Sequence, residues 1–202
     1  MDGTGGGRSL QEPVGLLLRE SADRGVPGED ADRQAVRELS DRIALRELVD
    51  AYAHAVDRRR PDLLAQLFHE DGQLIIPHPA GDGREPIVLD GRHGWEHAFA
   101  AVAPFTVTGH FVGNHLVRLA GDSATAETYC LAHEVYRPQD ETERMQLRLI
   151  RYTDACERHR GRWLFRTREL HVDWHDDHAL GAPRDLYRQT GSGGVRGKDR
   201  PW

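Results

Sequence analysis

The chain predicts an α+β fold, in which helices pack on one face of a curved antiparallel sheet and leave a cavity between the two layers. Two observations carry that expectation. Apolar residues recur at helical spacing up to about residue 104, and from Thr106 onward the pattern becomes alternating or continuously apolar. Turn signals then return at regular intervals, which indicates a strand meander following a run of helices.

In chain order, Ser40 or Asp41 can cap a first helix over about 41–58, with Leu45, Leu48, Val49, Tyr52 and Val56 forming one buried stripe. Pro61 breaks that helix and opens a second over Asp62–Phe68. Asp71-Gly72 reads as a turn before a short strand, QLIIP, at 73–77, and residues 78–86 read as loop ahead of a small strand at Ile87–Leu89. Trp95, Ala98, Phe99 and Val102 give a third helix between Gly91 and Pro104. Four strands are expected at Thr106–Ala120, Ala124–Tyr136, Met145–Arg158 and Trp163–Trp174, joined by Gly121-Asp122-Ser123, a polar loop at 137–143 and the HRGR turn at 159–162.

Composition limits the function classes. The 202 residues carry a net charge of −6, which opposes broad nucleic-acid binding, a task that requires surplus Lys and Arg on one face. The apolar run Val14–Leu18 is too short for a membrane span or signal peptide, so a cytoplasmic protein without membrane association is expected. Residues 1–37 and 179–202 are rich in Gly, Asp and Arg and are expected to be a disordered extension and a flexible tail around a domain at 38–178. Arg184, Arg188, Arg196, Lys198 and Arg200 make that tail locally basic, and Tyr187 and Trp202 could let it act as a lid. Two cysteines, Cys130 and Cys156, form no C-x-x-C pair and imply no disulfide framework.

Candidate site residues divide by how much the pattern says. At about 100° per residue Asp57 falls on the flank of the helical stripe, where periodicity alone reads a solvated carboxylate. His110 alone reads as an ordinary strand histidine. If it faces inward, strict alternation puts Val112, Asn114 and Leu116 on its face and turns His115 away. Phe68, Leu74, Ile76, Trp95 and Phe99 are wall residues or plain core, and such a wall suits an apolar or aromatic small molecule. His171, Asp173 and His175 in HVDWHDDH alternate and could be drawn as a divalent site, although carboxylates suit the wet end of a strand equally and no metal is expected. Glu127 and Arg148 could pair across strands, against the plainer reading of a solvated sheet face.

The helix ending AYAHAVDRRRPDLLAQLFHEDGQLI, the GHFVGNHLV strand after GRHGWEHAF, and the closing Y-x-D-x-x-E-R-x-x-G-R-W-L-F-x-x-R run resemble the SnoaL-like branch of the nuclear transport factor 2-like superfamily. That resemblance implies a cone-shaped α+β barrel. One group in it, including scytalone dehydratase, bile acid 7α-dehydratase and hexachlorocyclohexane dehydrochlorinase, uses an Asp–His dyad inside the cone. The matching positions here are Asp57, in Val56-Asp57-Arg58-Arg59, and His110, followed four residues later by Asn114. By the same resemblance Tyr52 would hydrogen-bond a substrate carbonyl, and Arg168 would hold an anionic oxygen, although nearby Arg166 could exchange faces with it at a bulge. The implied activity is a cofactor-independent dehydratase acting on a hydroxylated cyclic, polyketide-like or steroid-like molecule of secondary metabolism. A cyclase or isomerase using the same dyad, and a non-catalytic binding or dimerisation module, are the alternatives. A homodimer or homotrimer is implied by the resemblance and not by composition.

Overall fold

In a computed structural model, residues 28–78, 83–139 and 142–181 are described, with the side chains of Arg92 and His93 excepted. The expectations for residues 1–27 and 182–202, including Val14–Leu18, Tyr187, Trp202 and the basic tail, lie outside the described residues.

The first helix, α1, spans Glu29–Asp57 and starts well before the expected Asp41. Its early turns bury little, so no apolar stripe marks them; Glu29, Asp30 and Asp32 in the first turn instead complement the positive end of the helix. From Asp41 onward the stripe goes under the sheet, and Leu45, Leu48, Val49, Tyr52, Ala55 and Val56 are buried.

Pro61 opens α2, which covers only Pro61–Ala65. Strand β1 begins at Phe68, five residues ahead of the expected start, and runs to Ile76. Asp71-Gly72 is therefore not a connecting turn: it lies in a register shift within β1 between Phe68 and Gln73. A Cβ on Gly72 would stand 2.8 Å from the Phe165 carbonyl oxygen, so glycine is what lets this strand lie against its neighbour. The remaining elements are β2 (Ile87–Asp90), α3 (Gly91–Val102), β3 (Val107–Ala120), β4 (Ser123–Tyr136), β5 (Arg144–His159) and β6 (Arg162–Ala179), close to the sequence expectation.

The six strands form one curved sheet in the order β2-β1-β6-β5-β4-β3. β3 to β6 are the expected antiparallel meander, but β1 pairs parallel with β6, so the sheet is mixed. Gly121 and Gly161, with φ of +67° and +81°, close the β3–β4 and β5–β6 turns in the left-handed region that glycine enters without strain. A single core joins α1, α2, β1 and Trp95 of α3 to the inner residues of β3–β6, among them Ala126, Cys130, Ala132, Ile150, Tyr152 and Phe165.

Candidate active site

Asp57 is the last residue of α1, and the backbone beyond it turns sharply, with Arg59 at φ +54°. The Arg59 guanidinium fixes that turn. It donates to the carbonyls of Val56, Val102 and Phe105 and to Thr108 Oγ1, tying together the ends of α1 and α3 and the start of β3. His110 lies two residues along β3 from Thr108, so the same clamp sets helix end and strand against each other.

The Asp57 carboxylate meets His110 twice: Oδ1 is 2.7 Å from the ring Nδ1, and Oδ2 accepts the His110 backbone N–H at 2.9 Å. Burial acts to raise the Asp57 pKa, yet the hydrogen bonds from the His110 ring and backbone N–H hold it below the ordinary carboxylate value. An ionised Asp57 must accept, so Nδ1 carries the proton. In the neutral imidazole the free lone pair is then on Nε2.

His110 borders a cavity of about 220 Å³ whose wall also includes Tyr52, Val56, Leu74, Ile76 and Phe99. On its far side the dyad borders an outer cleft formed with Arg46, Asp50, His54 and Val112. The imidazole therefore separates an interior hollow from the surface region where Asp57 keeps 21% of its side-chain exposure.

Five expected residues stand elsewhere. Asn114 is exposed and Leu116 with it, because the β3–β4 register shifts between Val112 and His115. The extra residue reverses the alternation, so His115 and Val117 turn inward where Leu116 was expected. The bulge is held from α1: Arg46 donates to the carbonyls of Val112 and Gly113. Val112 borders the outer cleft and not the cavity. Phe68 and Trp95 stack in the core with ring centroids 4.4 Å apart, behind the lining.

Arg168 faces inward as expected, but it lies beneath the cavity wall. Only 1% exposed, its guanidinium sits 4.2 Å from the Tyr52 ring centroid, 3.9 Å from Tyr152 and 4.6 Å from Phe165. Asp154 is its buried counter-ion at 3.5 Å; burial pushes that carboxyl up to about 6 against the pull of Arg168. Arg166 turns outward to Asp71 and Glu157. Burial also pushes the Tyr52 phenol up to about 12, again opposed by Arg168, so Tyr52 stays a hydrogen-bond donor across the working pH range.

The sequence reading missed Glu134. It is fully buried, lines the cavity and pairs with Arg148, for which the sequence offered Glu127 as a possible partner against the plainer reading of a solvated sheet face. The register explains the correction: Glu127 opposes Thr153, whereas Arg148 opposes Ala132, two residues from Glu134 on the same face. An acidic residue inside an alternating strand was the available signal. In the HVDWHDDH run, Asp173 binds Arg151 and Asp177 binds Arg144 and Tyr136, and among the described residues no group of three or more His, Cys, Asp or Glu is placed to hold a metal ion.

Comparison with known proteins identifies the domain that carries this geometry. Residues 37–169 match the model of the SnoaL-like domain family. No curated protein matches the chain. Among solved structures, a protein assigned as a scytalone dehydratase from Novosphingobium aromaticivorans DSM 12444 is 21% identical, with a TM-score of 0.58 over 72% of this chain and 92% of its own. A hexachlorocyclohexane dehydrochlorinase, LinA type 2, is 20% identical, with a TM-score of 0.61 over 74% of this chain and 99% of its own. A cystatin-like-fold protein from Nostoc punctiforme PCC 73102 is 18% identical, with a TM-score of 0.52 over 66% and 91%. These similarities are of fold. With a cone-like sheet and a family match over well more than half its length, the chain belongs to the SnoaL-like domain family, in the nuclear transport factor 2-like superfamily.

Proposed function

We propose that the protein is a carbon–oxygen lyase that removes water from a hydroxylated cyclic small molecule, using Asp57 and His110 as an acid–base dyad. The observation that carries this reading is the 2.7 Å bond between Asp57 Oδ1 and His110 Nδ1 at the wall of a largely apolar cavity. Separated groups, or a filled hollow, would have favoured a non-catalytic module.

In the proposed step, His110 Nε2 takes the proton next to a substrate carbonyl, and the C–H electron pair becomes the new carbon–carbon double bond. The C–O bond to the neighbouring hydroxyl breaks, and the imidazolium returns the proton to the departing oxygen, releasing one water and neutral His110. Asp57 stabilises the imidazolium, and Tyr52 donates to the carbonyl oxygen as charge develops there. Protons and electrons balance within the dyad and substrate, so the step requires no cofactor. The functional domain in this reading is residues 38–178.

The test is incubation with 3-hydroxycyclohexanone and larger cyclic β-hydroxyketones, read by mass spectrometry. Loss of one water supports the lyase; an isomeric product of unchanged mass points to cyclase or isomerase chemistry. His110→Ala and Asp57→Asn should each lower turnover by about 10² to 10⁴, the usual contribution of general acid–base catalysis. Turnover of His110→Ala within about tenfold of wild type removes it as the base.

We infer also that two or three copies associate through the outer sheet face. Phe111, Leu131, Leu149 and Trp174 lie in one register row across β3–β6, with Phe111 69% and Trp174 44% exposed.

A further inference from the structure

The cavity wall opposite in character to its apolar lining is the Glu134–Arg148 pair. Ala132 is the cross-strand partner of His110, and Glu134 follows two residues later on the same face of β4. Glu134 is 0% exposed, one of its oxygens is taken by Arg148 Nη2, and the other, Oε2, is buried with no partner among the described residues. Arg148 likewise leaves its Nε–H buried and unpartnered among the described residues. Both side chains line the cavity that His110 borders.

A buried carboxylate oxygen without a donor is costly, and structures keep such atoms satisfied by protein, water or ligand. Here Arg148 already balances the Glu134 charge, so a ligand cation would leave the pole with surplus positive charge and a ligand anion with surplus negative charge. A neutral donor fits, and the adjacent Arg148 Nε–H offers a hydrogen bond to the same or a neighbouring oxygen.

We propose that Glu134 is the specificity-determining residue of this cavity: its free oxygen accepts a hydrogen bond from a hydroxyl of a neutral, ring-sized ligand, with Arg148 positioning the carboxylate. The assignment deepens the lyase reading and rests on this cavity being the substrate site. Any water on Glu134 in the free protein is displaced by the hydroxyl, whereas a methoxy group in the same place displaces it without returning the hydrogen bond.

Calorimetry with 3′-hydroxyacetophenone and 3′-methoxyacetophenone tests it, since these rings differ by one donor. Wild type should bind the hydroxyl compound about tenfold or more tightly, the factor expected for a hydrogen bond to a charged group. Glu134→Gln presents an amide N–H₂ where the acceptor was and should reduce the preference to within about threefold. If that variant does not fold, Glu134→Asp, which keeps the charge and withdraws the oxygen by one methylene, should lower the preference several-fold. Equal affinities in wild type, no binding of either ring, or an unchanged preference in a folded Glu134 variant overturns the proposal. His110→Ala should keep the preference while losing turnover. A failed lyase reading thus shows as absent turnover with the hydroxyl preference intact, and a failed Glu134 assignment shows as the reverse.

Discussion

Asp154 and Arg168 illustrate at residue scale how a buried pair can serve shape more than strength. Arg168 is wrapped by three aromatic rings, and Nε and Nη1 together with both Asp154 oxygens have no hydrogen-bond partner among the described residues. Replacing Asp154 alone with Asn should cost about 3–5 kcal/mol by stranding the guanidinium, whereas Asp154→Leu with Arg168→Met should be neutral or stabilising. Chemical denaturation of the three proteins checks this. His115 makes a second case, because burial, helped by Arg46 and Arg168, drops its pKa to about 4 from 6.5. Between those values the unfolded chain binds the extra proton, so His115 removes stability as pH falls from 6.5 to 4. Asp154 acts with the opposite sign: its folded pKa of about 6 exceeds the ordinary 3.8, so acidification over that range restores stability. Each effect is on the order of 2–3 kcal/mol once the partial exposure of His115 is allowed for. His115→Phe should therefore gain on wild type by that amount between pH 6.5 and pH 4, measured by urea denaturation at both values.

The elements that hold the site are tied by arginines rather than by regular pairing. Arg59 spends its hydrogen bonds on three segment ends, two of whose backbone carbonyls belong to the α3 terminus and the loop after it. Arg59→Met should cost about 2–4 kcal/mol, since several carbonyls lose a charged donor at once; the urea midpoint, with the Asp57–His110 dyad intact in sequence, reads the loss. Much at this scale was legible beforehand. The stripe through Tyr52 and Val56 and all four long strands follow from periodicity, whereas Asp57 and His110 were singled out only by the family resemblance, since periodicity alone read a solvated carboxylate and an ordinary strand histidine. What was not legible depends on departures from period. A single extra residue at the Gly113–Asn114 bulge sends Asn114 out and His115 in, and nothing local in GHFVGNHLV announces it. The first turns of α1 carry no apolar pattern to read. Glu134 was overlooked because its partner is fixed by cross-strand register, which exists only once β4 and β5 are aligned.

For the whole molecule, the proposed assembly rests on the outer face of the sheet. Phe111→Ser with Trp174→Ser should shift a dimer or trimer to monomer in analytical ultracentrifugation, and an unchanged wild-type-like mass for the variant would move the interface elsewhere. The proposed chemistry rests on the inner face, and both faces are laid on the same four strands with opposite residue parity. A one-residue register slip would exchange them, so the bulges of β3 and β6 are constraints on assembly as much as on the site.

β1 has a further consequence through its parallel seat beside β6, where Phe68 aligns with Phe165 almost a hundred residues later. Such a contact has high sequence separation, and loop closure must precede its reward, so the last pairing belongs to the slow, millisecond-to-second class of folding events. During synthesis the wall bearing Leu74 and Ile76 has β2 on one side but waits for its β6 neighbour on the other until the final hairpin leaves the ribosome. A nascent chain halted before Arg162 should remain protease-sensitive across β1, even with its helices and first hairpin already made.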